Sequence, residues 1–392
     1  MKTNQRFLKS ILGGLILNAR FYSTTTGTAT TKVNKDSLDK VNQLIKLFPK
    51  VKYGFAYGSG VIPQRGYQQQ QQQQQNDTIV NTNNKPSPMI DMIFAVEEPI
   101  EWHNENIKRN PSHYSFLSYA GPSVVAKVQQ IGGAKVYFNT LLNHNGIKYK
   151  YGIIDYKDLV DDLTHWKTLY VSGRMHKPIL ELPIVNESVS KEINLLNKTN
   201  NLSYCIAAAL LMLPETFTEY EFYHKICSIS YNGDIRMKGG ENPNKIHNLI
   251  VDNIDSFREL YYPIIEDHFS NYIEVLLLNN QQQQEQLQPF SKSIIMDNIN
   301  NFKLYSKKQS TRDVGLTMMF PKEIKSELLN KMRKNMKLNN GQMLTNEQDV
   351  STIIHNIVSS SSFYQSAKGV LTAGIMKSIE YIRLKLKSSK KN

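Results

Sequence analysis

Tyr53–Tyr57 is a short aromatic run that ends in Gly58-Ser59-Gly60. A strand closing on glycine, serine and glycine presents backbone N–H groups where a polyphosphate can approach closely. Glycine permits the tight turn, and the serine hydroxyl adds a donor. The tripeptide alone is more often just a turn. A second feature gives it weight: Asp91 stands inside the apolar run Pro88-Met89-Ile90-Asp91-Met92-Ile93-Phe94, where burying an acid needs a reason. A carboxylate beside a phosphate cradle is how a protein holds magnesium against a nucleoside triphosphate. The gap of 31 positions between Gly60 and Asp91 shrinks to 13 once the 18 glutamine- and asparagine-rich residues 68–85 are set aside, a loop between adjacent strands. Arg174 and Lys177 stand within one four-residue stretch and suit phosphate contact.

The elements that must carry these residues alternate over 51–183. Strands are expected at Tyr53–Tyr57, Met89–Val96, Ala134–Asn139 and Lys148–Ile154, followed by a helix over Asp158–Leu169. Residues 184–200 read as a polar connector. Leu202–Leu213 then reads as an apolar helix stopped by Pro214, and Thr216-Phe217-Thr218-Glu219 has the form of a capping box. The fold class is α+β. A polymerase-β-like nucleotidyltransferase domain is expected over 36–183, because strand, Gly-Ser, loop and Asp-bearing strand are the core of that fold. A helical or winged-helix-like domain is expected over 201–270 and a mixed region with a second glutamine-rich insertion over 271–360. The insertion 68–85 should be a disordered loop.

The 392 residues are 40% hydrophobic with two cysteines, which fits a globular protein of a reducing compartment and excludes a disulfide framework. No stretch reaches the ~18 apolar residues a spanning helix needs. The net charge of +13 is uneven: residues 1–32 hold five cations and no acid, and 361–392 hold seven cations and one acid. The nearly neutral body argues against nucleic acid as partner. The first 32 residues are basic, hydroxyl-rich and helically patterned, the composition of a mitochondrial transit peptide, with cleavage expected between Tyr22 and Ser23. Leu371, Ile375, Ile379, Ile382 and Leu386 give one apolar face beside basic residues, a pattern that suits an anionic membrane surface. His103, His113 and His176 lack metal spacing and read as packing residues, as do Trp102 and Trp166.

Several further segments occur in a fixed order. They are Trp102-His103, His113-Tyr114-Ser115, Val136-Tyr137-Phe138-Asn139, Tyr151-Gly152, Gly173-Arg174 with Lys177-Pro178, and Leu213-Pro214-Glu215. Ser230-Tyr231-Asn232-Gly233-Asp234-Ile235-Arg236-Met237 follows with Gly240-Glu241 and Lys245, then Gln365-Ser366, Lys368-Gly369 and Thr372-Ala373-Gly374. With these, most of the chain after about residue 50 resembles the mitochondrial translocator assembly and maintenance protein family, the matrix-side CDP-diacylglycerol synthases (phosphatidate cytidylyltransferases). The resemblance implies CTP and phosphatidate as substrates, magnesium as cofactor, and a peripheral protein on the matrix side of the mitochondrial inner membrane. It implies Tyr57, Gly58, Ser59, Gly60, Gln64, Arg174 and Lys177 around the nucleotide. Asp91, Asp234 and Lys368 are the expected catalytic residues, Asp91 and Asp234 also as metal ligands. Many nucleotidyltransferases carry Asp-x-Asp, whereas here Met89 and Ile93 flank Asp91. The second carboxylate is therefore expected from Asp234 first and Asp155 second. Phosphatidate is anionic near neutral pH, its second pKa being about 6, and needs no strong general base. The competing readings are a nucleotidyltransferase acting on RNA and a non-catalytic adaptor for protein import.

Overall fold

β1 (Tyr53–Tyr57) is aromatic and β2 (Ile90–Val96) almost wholly apolar, and each is buried but for one residue, Tyr57 on β1 and Asp91 on β2. Such residues favour a pleated, two-sided buried surface. The computed structural model describes residues 35–62, 88–236, 244–276, 303–308, 312–336 and 345–373. The expected transit peptide 1–32, Gln64, the insertion 68–85, the second glutamine-rich segment, Met237 to Glu241 and the apolar positions Ile375 to Leu386 lie outside the described residues.

α1 (Lys35–Ile45) precedes β1, and β2 is followed by α2 (Pro99–Arg109), two 3₁₀ turns (Pro111–His113 and Phe116–Ala120) and α3 (Pro122–Gln130). β3 (Tyr137–His144) and β4 (Ile147–Asp155) form a hairpin closed by Asn145-Gly146. Both turn residues have positive φ, 50° and 81°, which Asn and Gly tolerate best. α4 (Tyr156–His165) follows, and β5 (Leu180–Glu181) completes a sheet of order β3-β4-β2-β1-β5. β2 runs parallel to β4, the other pairings are antiparallel, and β1 and β2 are adjacent as the shortened loop implied.

The segment read as a polar connector is helical. α5 (Glu187–Leu196) continues through a π-helical turn (Asn197–Leu202) into α6 (Ser203–Met212). The turn is held from inside: Asn201 accepts at Oδ1 from Trp166 Nε1 (2.7 Å) and His176 Nε2 (2.8 Å) and donates to Ser172 O (3.0 Å). β6 (Thr216–Thr218) then leads into α7 (Glu219–Ile229). The capping box lies two residues later than expected, between Thr218 and Glu221, because Thr216 and Phe217 are used as strand. α8 (Lys245–Asp252), α9 (Ile254–Ile264), β7 (Ile273–Leu276), β8 (Leu304–Lys307), α10 (Arg312–Met319), α11 (Lys322–Asn335) and α12 (Glu347–Ala373) follow, with a second sheet of order β6-β8-β7. The architecture is mixed α+β.

One face of the large sheet (Ala56, Met92, Phe94, Tyr151, Ile153) belongs to a hydrophobic cluster that continues through α6, α7 and α9 to α12. The other face (Phe55, Ile93, Phe138, Ile154) packs against α4 and the stretch Tyr170 to Met175. No helix among the described residues is long and apolar enough to cross a membrane.

Candidate active site

Strand register assembles the site. Tyr57 on β1 lies opposite Asp91 on β2, and Asp91 lies opposite Lys150 on β4. Facing residues of neighbouring strands project to the same side, so the three stand in a row across the sheet. Lys150 Nζ is 3.0 Å from Asp91 Oδ1. The contact is an ion pair without hydrogen-bond alignment, since that buried oxygen has no hydrogen-bond partner.

The Gly58 turn is pressed onto this row. Gly58 has φ +77°, and a Cβ there would stand 3.4 Å from Asp91 Oδ2. A Cβ on Gly60 would come within 2.2 Å of Met89 O, just before the strand that bears Asp91, so no side chain fits. Gly58 O accepts from Val61 N (3.1 Å) and Ile62 N (2.9 Å), closing the turn with Ser59 at its partly exposed tip.

A second set of cations arrives on the loop after α4, and a buried acid shapes that loop. Asp162 accepts from the backbone N–H of Thr168, Leu169, Val171 and Ser172 and from the Thr168 hydroxyl, at 2.8–3.1 Å. The loop so fixed presents Tyr170 and Arg174. The Arg174 guanidinium lies 4.0 Å from the Tyr170 ring centroid and 5.1 Å from that of Tyr57, and its Nε is buried without a hydrogen-bond partner. Arg236 Nη1 donates to Tyr170 OH at 3.2 Å. Burial would push the Tyr170 phenol up, but the charges of Arg236, Arg174 and Lys150 outweigh it and hold the phenol below its ordinary value.

The structure thus brings together Tyr57, Gly58, Ser59, Gly60, Asp91 and Arg174. Lys177 is turned toward the 230s: its Nζ donates to Ser230 Oγ (2.8 Å) and Gly173 O (2.9 Å) and stands 4.6 Å over the Tyr231 ring. Lys245 approaches the same ring at 5.7 Å.

The other expected carboxylates and cation, Asp234, Asp155 and Lys368, make the following contacts. Asp234 is gripped by Arg236, with Nη2–Oδ2 at 2.5 Å and Nε–Oδ1 at 2.9 Å. Burial would raise its carboxyl, and the Arg236 bonds and charge outweigh that and lower it. Asp155 caps α4 through Lys157 N (2.9 Å) and lies opposite Val96, at the far end of the β2–β4 pair from Lys150. Lys368 on α12 donates to Gln129 O (2.8 Å), Ile131 O (3.3 Å) and Gly132 O (3.4 Å), capping α3. That end of α3 adjoins the start of β3, where Gln365 binds Val136 O. By register this lies about four residues, roughly 13 Å, along β4 from Lys150.

Sequence alone does not single out Lys150 or Tyr170. The only signal for Lys150 is its place in an alternating strand; its register with Asp91 is a nonlocal fact. Arg236 stands in a quoted motif that assigns it no role. The histidines are packing groups: His103 bonds Tyr114 OH and Gln129 Oε1 at 2.9 Å, and His113 bonds Tyr151 OH at 2.9 Å and Tyr149 OH at 3.2 Å. Among the described residues no cluster of three His, Cys, Asp or Glu could hold a metal.

A glycine turn thus lies against a carboxylate paired with one lysine, with two arginines close by around Tyr170, an arrangement whose charge suits anionic phosphate groups. A family model described as "Phosphatidate cytidylyltransferase, mitochondrial" matches residues 41–388, and the chain belongs to that family. A Dictyostelium discoideum protein of the same description is 49% identical over 372 residues, covering 91% of this chain and 86% of the relative. Relatives so named from Schizosaccharomyces pombe and Xenopus laevis are each 35% identical, covering 90% and 88% of this chain and 83% and 92% of their own.

Proposed function

We propose that the chain is a phosphatidate cytidylyltransferase: it transfers CMP from CTP to phosphatidate, giving CDP-diacylglycerol and pyrophosphate, as a peripheral protein on the matrix side of the mitochondrial inner membrane. The observation that carries this reading is the row Tyr57–Asp91–Lys150 beneath the Gly58 turn, in a chain of this family. The β1–turn–β2 unit supports a polymerase-β-like nucleotidyltransferase domain, and the small sheet beside α6 and α7 a winged-helix-like one.

A phosphate oxygen of phosphatidate attacks the α-phosphorus of CTP. The new P–O bond forms as the bond to the bridging oxygen breaks, and that electron pair leaves on pyrophosphate. The attacking group is already anionic, so alignment and charge neutralisation do most of the catalysis. Gly58 and Gly60 let the triphosphate approach the backbone, and Ser59 supplies a hydroxyl. Lys150, Arg174 and Arg236 offset the phosphate charges, Arg236 steered by Asp234. Magnesium fits, because it needs only one or two carboxylates beside phosphate oxygens and water, and Asp91 Oδ1, though ion-paired with Lys150, makes no hydrogen bond and keeps acceptor capacity for it. Asp91 would hold it, and the ion would supply charge neutralisation at the triphosphate.

The test is CDP-diacylglycerol formation by the purified chain with CTP, magnesium and phosphatidate in anionic vesicles, alongside Asp91→Asn. Wild type should form product, and the variant should lose at least ~100-fold of the rate while staying folded. An undiminished variant removes Asp91 from its role. A folded wild type without product returns the chain to the adaptor reading.

A further inference from the structure

The first half of α12, the last described helix, buries Val350, Ile353, Ile354 and Val358 in the usual way, whereas its C-terminal half is amphipathic with its sides reversed. Ser361, Gln365, Lys368 and Thr372 on α12 are buried. Three of them spend their polar atoms on backbone carbonyls of the body: Ser361 Oγ on Thr168 O (2.8 Å), Gln365 on Val136 O and Lys368 on Gln129 O. The opposite face carries Phe363, Tyr364, Val370 and Leu371, all exposed, with Ala367 between them and no charge. A helix docked on a protein normally does the opposite.

Neighbouring elements extend this surface. Ser115 Oγ donates to Leu371 O (3.0 Å), which ties the 3₁₀ turn Phe116–Ala120 to the end of α12. Residues three apart in a 3₁₀ turn eclipse, so Phe116 and Tyr119 stand side by side, 61% and 93% exposed. Ile131, at the C-cap of α3 beside Lys368, is 65% exposed. At the other end, Ile235 N meets Ser362 Oγ at 3.4 Å, and Ile235 is exposed next to Arg236 of the active site. An apolar surface of this extent, edged by a cationic cluster, marks an interaction face.

We propose that this face rests on an anionic lipid bilayer, with Phe116 and Tyr119 as an inserted wedge beside α12. The chain beyond α12 argues for lipid as the occupant. Residues 374–392 carry six cations against Glu380, with Ile375, Ile379, Ile382 and Leu386 at helical spacing. Apolar side chains followed at once by excess lysine and arginine match acyl chains beneath anionic headgroups. The inference rests on the proposed lipid substrate in one respect: Arg236 at the edge of the face would meet the headgroup of the reacting lipid.

The experiment is the full chain carrying Tyr119→Trp, with vesicles of phosphatidylcholine and phosphatidylglycerol, and no phosphatidate or CTP, so that catalysis is not read. The native Trp102 and Trp166 are buried and serve as an internal control. The expected result is a blue shift on vesicle addition and quenching by lipids brominated in the acyl chain. Phe116→Ser/Tyr119→Ser should lower vesicle partitioning by roughly tenfold or more, with unchanged melting and unchanged turnover of a short-chain soluble phosphatidate. A vesicle-bound chain in which the indole introduced by Tyr119→Trp neither shifts nor is quenched overturns the proposal. So does emission already buried in buffer, whether it is released by dilution, which would identify a second copy as occupant, or by removal of 374–392, which would identify the chain's own C-terminus. Failure of CDP-diacylglycerol synthesis with normal quenching would sink the enzymatic reading and leave the surface standing.

Discussion

At the site, Lys150 is the residue on which the electrostatics turn. It pairs with Asp91 at 3.0 Å and contributes to lowering the Tyr170 phenol, so it links the carboxylate to the arginine cluster. The two side chains are only 19% and 21% exposed, so removing Lys150 leaves a mostly buried Asp91 carboxylate without this cation. Lys150→Met should therefore cost about 1–3 kcal/mol of stability and, well below the melting temperature, lower kcat/KM for CTP by roughly 10- to 100-fold, because a charge-assisted phosphate contact disappears. Steady-state kinetics beside calorimetry checks this; a rate within twofold of wild type would show that Lys150 only packs. His103 and His176 differ in acting on stability alone. Burial lowers His103 to about 4, and burial with the Lys177 charge lowers His176 to about 3. Unfolded, both titrate near ~6.5, so the unfolded chain takes up protons first as pH falls. Their contribution is complete above about 6.5 and is lost as pH drops toward 4 for His103 and toward 3 for His176, at about 1.4 kcal/mol per pH unit for each. Denaturant midpoints between pH 7 and 5 should show this slope, and His103→Gln should remove about half of the part that these two histidines supply; an unchanged slope would exclude His103 as its source.

At the level of elements, the loop after α4 shows how much of the site was readable. β1 and β2 could be placed from their aromatic and apolar runs, and Gly58 and Asp91 stood out because each breaks a local rule: a turn where a strand stops, an acid in an apolar strand. Tyr170 broke no rule. It stands beside Arg236 only because Asp162 folds the intervening backbone around its carboxylate, and five hydrogen bonds to one side chain are a tertiary fact. The capping box slipped by two residues for a similar reason: Thr216 pairs with Ser306, which is 90 positions away. Asp162→Asn tests the loop. An amide replaces one acceptor oxygen by a donor that faces backbone N–H groups, leaving at least two of them unpaired. The cost should be about 2–5 kcal/mol. Activity should fall further than stability explains, since Tyr170 and Arg174 lose their mounting. Rates measured well below the variant's melting temperature separate the two effects; full activity there would show that the loop holds without Asp162.

For the whole described chain, the question is whether the sheet and the helices after residue 200 unfold apart. The sequence suggested two bodies joined by a polar linker. The linker is instead helix α5 with its π-turn, and Asn201 in that turn bonds Trp166, His176 and Ser172 at once. Trp166 also meets Phe320 and Tyr204 at ring distances of 6.0 and 5.7 Å, and one hydrophobic cluster runs from α1 and the sheet into α6 and α9. Exposing that shared surface in one part strips the other of contacts, which couples the unfolding of the two. Unfolding should be a single cooperative transition. Two probes sit at opposite ends of the argument. Trp102 packs on the sheet against Phe94 and Tyr151, and Cys205 and Cys227 are fully buried in α6 and α7. In a Trp166→Phe background, Trp102 fluorescence and thiol labelling should report the same urea midpoint. Thiols that react well before Trp102 is exposed would show that the helices melt from an intact sheet, and the two bodies read from the sequence would then be the better description of the molecule.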